Sequence, residues 1–378
     1  MAQITQKNTA KFSVSIRFFL CLLCTLFFFL SACTKTPTPM PTSPSFTNEI
    51  IVRTAENFHT PEDVTAFVDM AARVHISVIN LLVKQDEDAF VPSGQVFYRS
   101  EIAPIAPGYM RFDVLQTMLD AAHPRGIQVR AWMPQFHDQV AARQHPEWQM
   151  IALRDGVLQP YTGSRQEEYF VNPLHPDVQA YERSLIQEVV AKYPIDGIML
   201  DWLRFDDYNM DLSEWTRAAS QTAIGLDPLT LDFSHPNPAL ARWNDFRTDG
   251  IAAYVHAVRR ALPVELPLGV YILPPEFIEV GQDAAKFNPD VQSLAPMCYF
   301  QDWGYPLEWV WESCLATTAE KAGNAEIVPT MDSHLTDEEY AAIFAHLRTD
   351  FPQVKTLAWF YHNQWTEERF TMIERVTR

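Results

Sequence analysis

Ile195-Asp196-Gly197-Ile198-Met199-Leu200-Asp201-Trp202-Leu203-Arg204-Phe205-Asp206-Asp207 is the stretch on which the reading of this chain turns. Ile198, Met199 and Leu200 are apolar on both faces of an extended segment, as in a strand buried in a parallel sheet. Asp201 follows directly. A carboxylate there loses its hydration, which is costly unless something pairs with it or uses it. Arg204 is close enough in sequence to be that partner, and the pair would then merely tie down a loop. The other reading is chemistry at Asp201. Asp196 opens the segment at the far end and reads as a turn residue.

Working outward, short runs rich in β-branched and aromatic residues recur at 49–53, 75–83, 127–133, 197–203, 268–273, 294–300, 326–331 and 356–361. Helical periodicity lies between them. Val64, Phe67, Val68 and Ala71 share one face, as do Phe112, Leu115 and Leu119. Tyr181, Leu185 and Val189 repeat the pattern, and so do Trp243, Phe246, Tyr254 and Val258. Alternating strand and helix implies an α/β protein with a parallel sheet. Eight repeats in this length predict a (β/α)8 TIM barrel, one domain over residues 49–378. Helix-to-strand connections are short, whereas 84–110, 134–175 and 206–239 are long strand-to-helix loops. The working end is therefore the C-terminal end of the strands.

Residues 1–32 read as a targeting leader. Lys7, Lys11 and Arg17 precede an apolar run from 18 to 30 that is short for a membrane span. Leu30-Ser31-Ala32-Cys33 resembles a bacterial lipobox, which implies lipidation of Cys33 and a membrane anchor. Residues 33–48, dominated by Pro and Thr, form a flexible spacer. Thr34 is not Asp, so the resemblance implies outer-membrane sorting. The expected product is a lipid-anchored envelope protein.

The net charge is −18, and the leader carries three of the cations. The remaining surface repels nucleic acid and anionic lipid. Five Cys are present; beyond the leader and Cys33 there remain Cys298 and Cys314, whose spacing fits neither a zinc site nor a redox pair. They are read first as two buried or half-buried thiols, with a disulfide permitted if the compartment is oxidising. No metal-ligand cluster, phosphate loop or nucleophile elbow is found, so neither metal nor cofactor is expected.

The fourth-strand run 196–205 resembles the signature of the glycosyl hydrolase-like proteins of family 10. Trp243-Asn244-Asp245-Phe246-Arg247 with the helix and Leu266-Pro267-Leu268-Gly269-Val270 after it is similar to that family's next helix and strand. Ala295-Pro296-Met297-Cys298-Tyr299-Phe300 resembles its sixth strand, and Leu357-Ala358-Trp359-Phe360-Tyr361 its eighth. The resemblance implies a barrel that hydrolyses glycosides, bacterial cell-wall glycans included, with Asp201 as the essential carboxylate and Arg204 and Arg247 as cations that shape the site. One departure is Trp202-Leu203, where relatives often carry a second acid or a tyrosine. Met199 and Leu203 also stand where a chitinase-type strand carries its second Asp and its Glu.

Glycoside hydrolysis generally needs two carboxyl groups. Acids just past other strands are the candidates for the second: Asp302 first, beside Tyr299 and Trp303, then Glu276, then Asp332, with Asp206 and Asp207 if their loop folds inward. Aromatic faces match the C–H face of a sugar ring. Trp132, Trp202, Tyr271, Tyr299, Trp303, Trp359 and Tyr361 all fall at strand ends, with His137 and His362 placed to bond hydroxyls. The expected function is hydrolysis of an envelope or extracellular polysaccharide. The alternatives are a carbohydrate-binding lipoprotein without turnover and a lyase on the same fold.

Overall fold

The computed structural model describes residues 46–86, 91–163 and 168–377. The leader, Cys33 and the spacer up to residue 45 lie outside the described residues.

Eight barrel strands form the inner layer. The first is Thr47–Val52, beginning two residues before the expected start, and the second is Ile76–Leu82. The third is Gln128–Pro134, the fourth Gly197–Asp201, the fifth Leu268–Ile272 and the sixth Ser293–Pro296. The eighth is Thr356–Phe360. The seventh is split into Glu326–Ile327, paired with the sixth, and Thr330–Asp332, paired with the eighth. Pro329 has no amide hydrogen for the ladder, which accounts for the break. The gap is bridged by Val328 N–H donating to the Leu294 carbonyl at 2.9 Å and Ala358 N–H donating to the Pro329 carbonyl at 3.0 Å. First pairs with eighth and all barrel pairings are parallel, so the sheet closes.

The strands are buried for the reason the sequence suggested: all five residues of Gly197–Asp201 are buried. Gly269, opposite Met199, is required by packing, because a Cβ there would stand 2.5 Å from the Met199 sulfur. The helices bury most of the anticipated faces; Phe112 lies ahead of its helix, Val114–Ala122, and Phe112, Tyr181 and Phe246 are half-buried. Pro61–Arg73 is started by Thr60, which forms a capping box with Asp63, and buries Val64, Phe67, Val68 and Ala71. Asp196 accepts from Val129 N–H and bonds His123, fixing the entry to the fourth strand as a turn residue should.

Two features were not legible. The third strand-to-helix loop contains a hairpin, Ile151–Arg154 with Val157–Pro160. Cys298 and Cys314 are joined, with Cα atoms 5.9 Å apart, so the favoured reading as two thiols gives way to the disulfide that an oxidising compartment permits. Sequence spacing alone does not bring two Cα atoms within bridging distance.

Candidate active site

Asp201 ends the fourth strand and turns into a cavity of about 370 Å³ at the C-terminal mouth of the barrel. Its carboxylate is held from two sides. Trp132 Nε1, from the third strand, donates to Oδ2 at 3.0 Å. Trp202 N–H donates to Oδ1 at 2.7 Å. Trp202 has φ 51°, a left-handed conformation that is strained for a non-glycine residue and here directs its amide back onto the carboxylate. Burial raises the Asp201 carboxyl from its usual 3.8 to about 6, against the pull of these two donors and of Arg204 and Arg53. Among the described residues Asp201 makes no ion pair.

The anticipated Arg204 partner is engaged elsewhere. Its Nη1 donates to Asp206 Oδ1 at 2.7 Å, and its guanidinium stacks over Trp202 at 4.2 Å and Phe170 at 5.4 Å. Asp206 also accepts from Tyr161, so it braces the loop. Asp207 contributes its carbonyl to Arg247, which is fully buried and gathers the Asp207, Met210 and Glu279 carbonyls. Arg247 therefore shapes the loop from outside the cavity.

Of the second acids, Asp302 lines the cavity, together with Trp132, Trp202, Tyr271, Tyr299, Trp303 and His362. Glu276 does not: it accepts from Trp309 Nε1 at 2.8 Å and from the Ser313 hydroxyl. That bond, like the disulfide, ties down the segment that carries Tyr299, Asp302 and Trp303. Asp332 lies behind Tyr299 and bonds His334; burial lifts its carboxyl to about 6, and Asp302 adds to the shift.

Three expected sugar contacts are likewise displaced. Trp359 is completely buried, with Nε1 donating to Asn48 Oδ1 at 2.9 Å and its ring against Tyr340 and Phe344 on the helix side of the barrel. His137 is buried between Phe170 and Trp202, at 5.1 and 4.5 Å between ring centroids, beneath the cavity wall. Tyr361 stacks under the Arg369 guanidinium at 3.3 Å. Strand alternation explains Trp359: neighbours along a strand point to opposite faces, so only one of Trp359 and Phe360 can face the cavity. Phe360 does.

The cavity also contains Arg53 and Asp86, which the sequence reading passed over. Arg53 ends an apolar run, Ile50-Ile51-Val52, much as Asp201 ends its own, and that signal was available. Asp86 lies past the end of its strand, where no pattern marks it.

A second charged cluster lies nearby but is closed. Lys84 Nζ meets Glu182 at 2.7 Å and Asp138 at 2.9 Å, and donates to the Gln135 carbonyl at 3.1 Å. All three charged side chains are inaccessible.

Barrel and cavity together define a (β/α)8 protein with a carboxylate-and-aromatic pocket at its C-terminal mouth. The chain belongs to the family described as Glycosyl hydrolase-like 10, whose sequence pattern matches residues 50–303. The glycosyl hydrolase DigH of Escherichia coli (strain K12) is 31% identical over 157 residues, 37% of this chain and 33% of that protein. The matched part thus spans a third of that relative's length. Among solved structures, the glycoside hydrolase domain of PgaB (BpsB) from Bordetella bronchiseptica superposes with a TM-score of 0.68. It is 14% identical and covers 88% of this chain and 98% of that one. α-L-Fucosidase isoenzyme 2 from Paenibacillus thiaminolyticus gives 0.59 at 16% identity, covering 88% and 49%. These two likenesses establish the fold.

Proposed function

We propose that this protein is a glycoside hydrolase acting on a bacterial envelope or extracellular polysaccharide. One observation carries the reading: Asp201 is buried at the catalytic end of a barrel strand, with no ion pair among the described residues, on a cavity walled by aromatic rings. A buried carboxylate without a contact ion pair is costly to keep, and a developing positive charge at a sugar C1 is what it would serve. With a carboxyl that titrates at about 6, Asp201 is mostly ionised at neutral pH. Its role is then to stabilise or attack C1 as the glycosidic bond breaks. Asp302, on the same cavity, is the candidate that gives the leaving oxygen its proton. Water supplies the hydroxyl to C1 and restores the proton. Membership in a glycosyl hydrolase-like family supports the same reading.

Product analysis over a panel of polysaccharides tests the activity, and Asp302→Asn tests the acid. The variant is expected to lose most turnover on natural glycans and to recover on substrates with a good leaving group, which departs without a proton. Binding without products across the panel would instead favour a carbohydrate-binding protein. Turnover should fall as pH drops through about 6, as Asp201 takes up its proton.

We further infer that the barrel works at a membrane surface, held by a lipid on Cys33. The cationic leader, the apolar run and Leu30-Ser31-Ala32-Cys33 support this. Cys33→Ser should release the protein from the membrane fraction with its activity intact.

A further inference from the structure

Gln282 lines the cavity with Asp201 and Asp302, and the sequence reading passed it over. Its place is set by a short turn of helix, Ile278–Val280, that ends at Gly281 with φ 75°. That left-handed conformation favours glycine, and a Cβ there would stand 3.0 Å from the Phe205 ring. Phe205 N–H donates to the Val280 carbonyl at 2.8 Å, so the turn is fastened to the loop that leaves Asp201. The side-chain amide is fixed at one end, where Leu273 N–H donates to Gln282 Oε1 at 2.9 Å. A backbone N–H is met by the amide oxygen and not by the nitrogen, so the end left over is Nε2 with its N–H donors. Nε2 has no partner among the described residues and is not closed off from solvent. The guanidinium groups of the cavity are occupied: Arg204 holds Asp206 and Arg53 holds Asp86. Two neutral donors near Gln282 are not. Tyr271 Oη, on a side chain only 2% exposed, and Trp303 Nε1 lack hydrogen-bond partners among the described residues. Both residues line the cavity, one on the fifth strand and one past the sixth. This side of the cavity carries more donors than its own acceptors satisfy, a cost that a ligand bringing acceptor oxygens relieves.

We propose that Gln282 is a substrate-binding residue that sets specificity: its side-chain amide donates to one hydroxyl of the sugar ring seated at Asp201. The inference rests on reading this cavity as the glycan site. A hydroxyl is the chemistry that fits. Its oxygen accepts from the amide, and its hydrogen is available to a carboxylate of the same cavity, such as Asp302. An anionic substituent would also accept from Gln282, but it would meet Asp201 and Asp302 while both guanidinium groups already hold carboxylates. An amide anchored in advance by the backbone loses little freedom when the sugar binds. A sugar that lacks the hydroxyl leaves Nε2 unpaired in a filled cavity, and that penalty is what discriminates.

The test reads binding and not turnover, so it can fail while glycoside hydrolysis stands, and the reverse. Methyl glycosides of glucose, galactose, mannose, fucose and N-acetylglucosamine are titrated into the intact protein labelled with nitrogen-15, each beside its monodeoxy analogues. The Gln282 side-chain amide signals are assigned by their loss in Gln282→Glu, which keeps the oxygen that Leu273 N–H needs. At least one glycoside should shift those signals, and the analogue lacking one particular hydroxyl should not. Gln282→Met should weaken that glycoside about three- to tenfold and leave the deoxy analogue unchanged. If Gln282→Met does not fold, the amide signals of the parent protein decide alone. A glycoside that shifts them where product analysis finds no cleavage would show the contact without the turnover. Amide signals unmoved across the whole panel overturn the proposal. So does an equal loss of affinity in Gln282→Met for a glycoside and all its deoxy analogues, which would make Gln282 a brace for the loop.

Discussion

Asp201 and the Lys84–Asp138–Glu182 cluster are both buried, both near the C-terminal ends of strands, and both contain a carboxyl whose proton is held more tightly than usual. Burial lifts Asp201 to about 6 and Glu182 to about 8, the latter with Asp138 adding repulsion and Lys84 opposing. They differ in what surrounds the charge. Lys84 touches two carboxylates and the Gln135 carbonyl in a region closed to solvent. A Cβ on Gly94 would come within 2.0 Å of the Asp138 carboxylate, so even the covering loop is fitted to that cluster. Asp201 instead has neutral N–H donors behind it and open space in front. A raised pKa therefore does not by itself mark a reactive group. The absence of a contact ion pair and the presence of room for a ligand separate a site from an anchor.

Asp201→Asn gives the largest effect and separates the two regions most clearly. Turnover should fall by several orders of magnitude, because the charge opposite C1 is gone while shape is kept. Stability should move the other way. The folded carboxyl titrates at about 6 against 3.8 in the usual range, so the protonated form contributes stability that is full below 3.8 and lost as pH rises through 6. At pH 7 the amide escapes a penalty of about 2–3 kcal/mol, offset by about 1–2 kcal/mol because its NH2 must face one of the two N–H donors, and near pH 4 only that loss remains. Denaturant midpoints at the two pH values check this. A variant that keeps turnover, or that is much less stable at pH 7, would make Asp201 an anchor like Lys84.

Lys84→Met should show the anchor's behaviour. Two carboxylates are left in a closed region, at a cost of about 3–5 kcal/mol. The double variant Lys84→Met with Glu182→Leu should recover part of the loss by removing one of them. Undiminished stability in Lys84→Met would break the comparison from the other side.

Reduction of Cys298–Cys314 should cost about 3 kcal/mol by the loop-entropy argument for a separation of 16 residues. The loop it closes contains Tyr299, Asp302 and Trp303, so turnover should fall beyond what stability explains. Measuring both with and without a thiol-free reductant settles it; unchanged turnover in the reduced, folded protein would show that Glu276 and its partners suffice to hold Asp302.

The barrel was legible because its signal is repeated: eight apolar runs, the helical faces between them, and a consistent difference in loop length. Asp201 was legible because burial of a charge at a strand end is conspicuous in one dimension. Its surroundings were not. Arg204 was assigned to Asp201 on proximity in sequence but pairs with Asp206. Glu276 was an acid past a strand, and its side chain turns to Trp309 on the next loop. Trp359 and Phe360 are adjacent, and which one faces inward depends on register. Arg53 and Asp86 follow the ends of the first and second strands and meet only when those two strands pair.

Trp132→Phe is the finest test, because it removes one hydrogen bond to Asp201 and keeps a smaller aromatic ring in its place. The ring remains available for its contacts with Tyr271 and Phe360, at 5.9 and 6.2 Å, while the donor to Asp201 Oδ2 is lost. That donor favours the charged carboxylate, so its removal raises the Asp201 pKa above about 6. A bond to a charged group is worth about 1.5 kcal/mol at the low end, which corresponds to about one pH unit. The acidic limb of the turnover profile should therefore move upward by about that much. Activity at pH 6 should drop several-fold, and activity near pH 8, where both proteins hold Asp201 ionised, should change little. A profile lowered by the same factor at every pH would mean that Trp132 contacts the sugar rather than tuning the carboxylate. A limb left in place would mean that the Trp202 amide and the cavity's cations hold the charge without it.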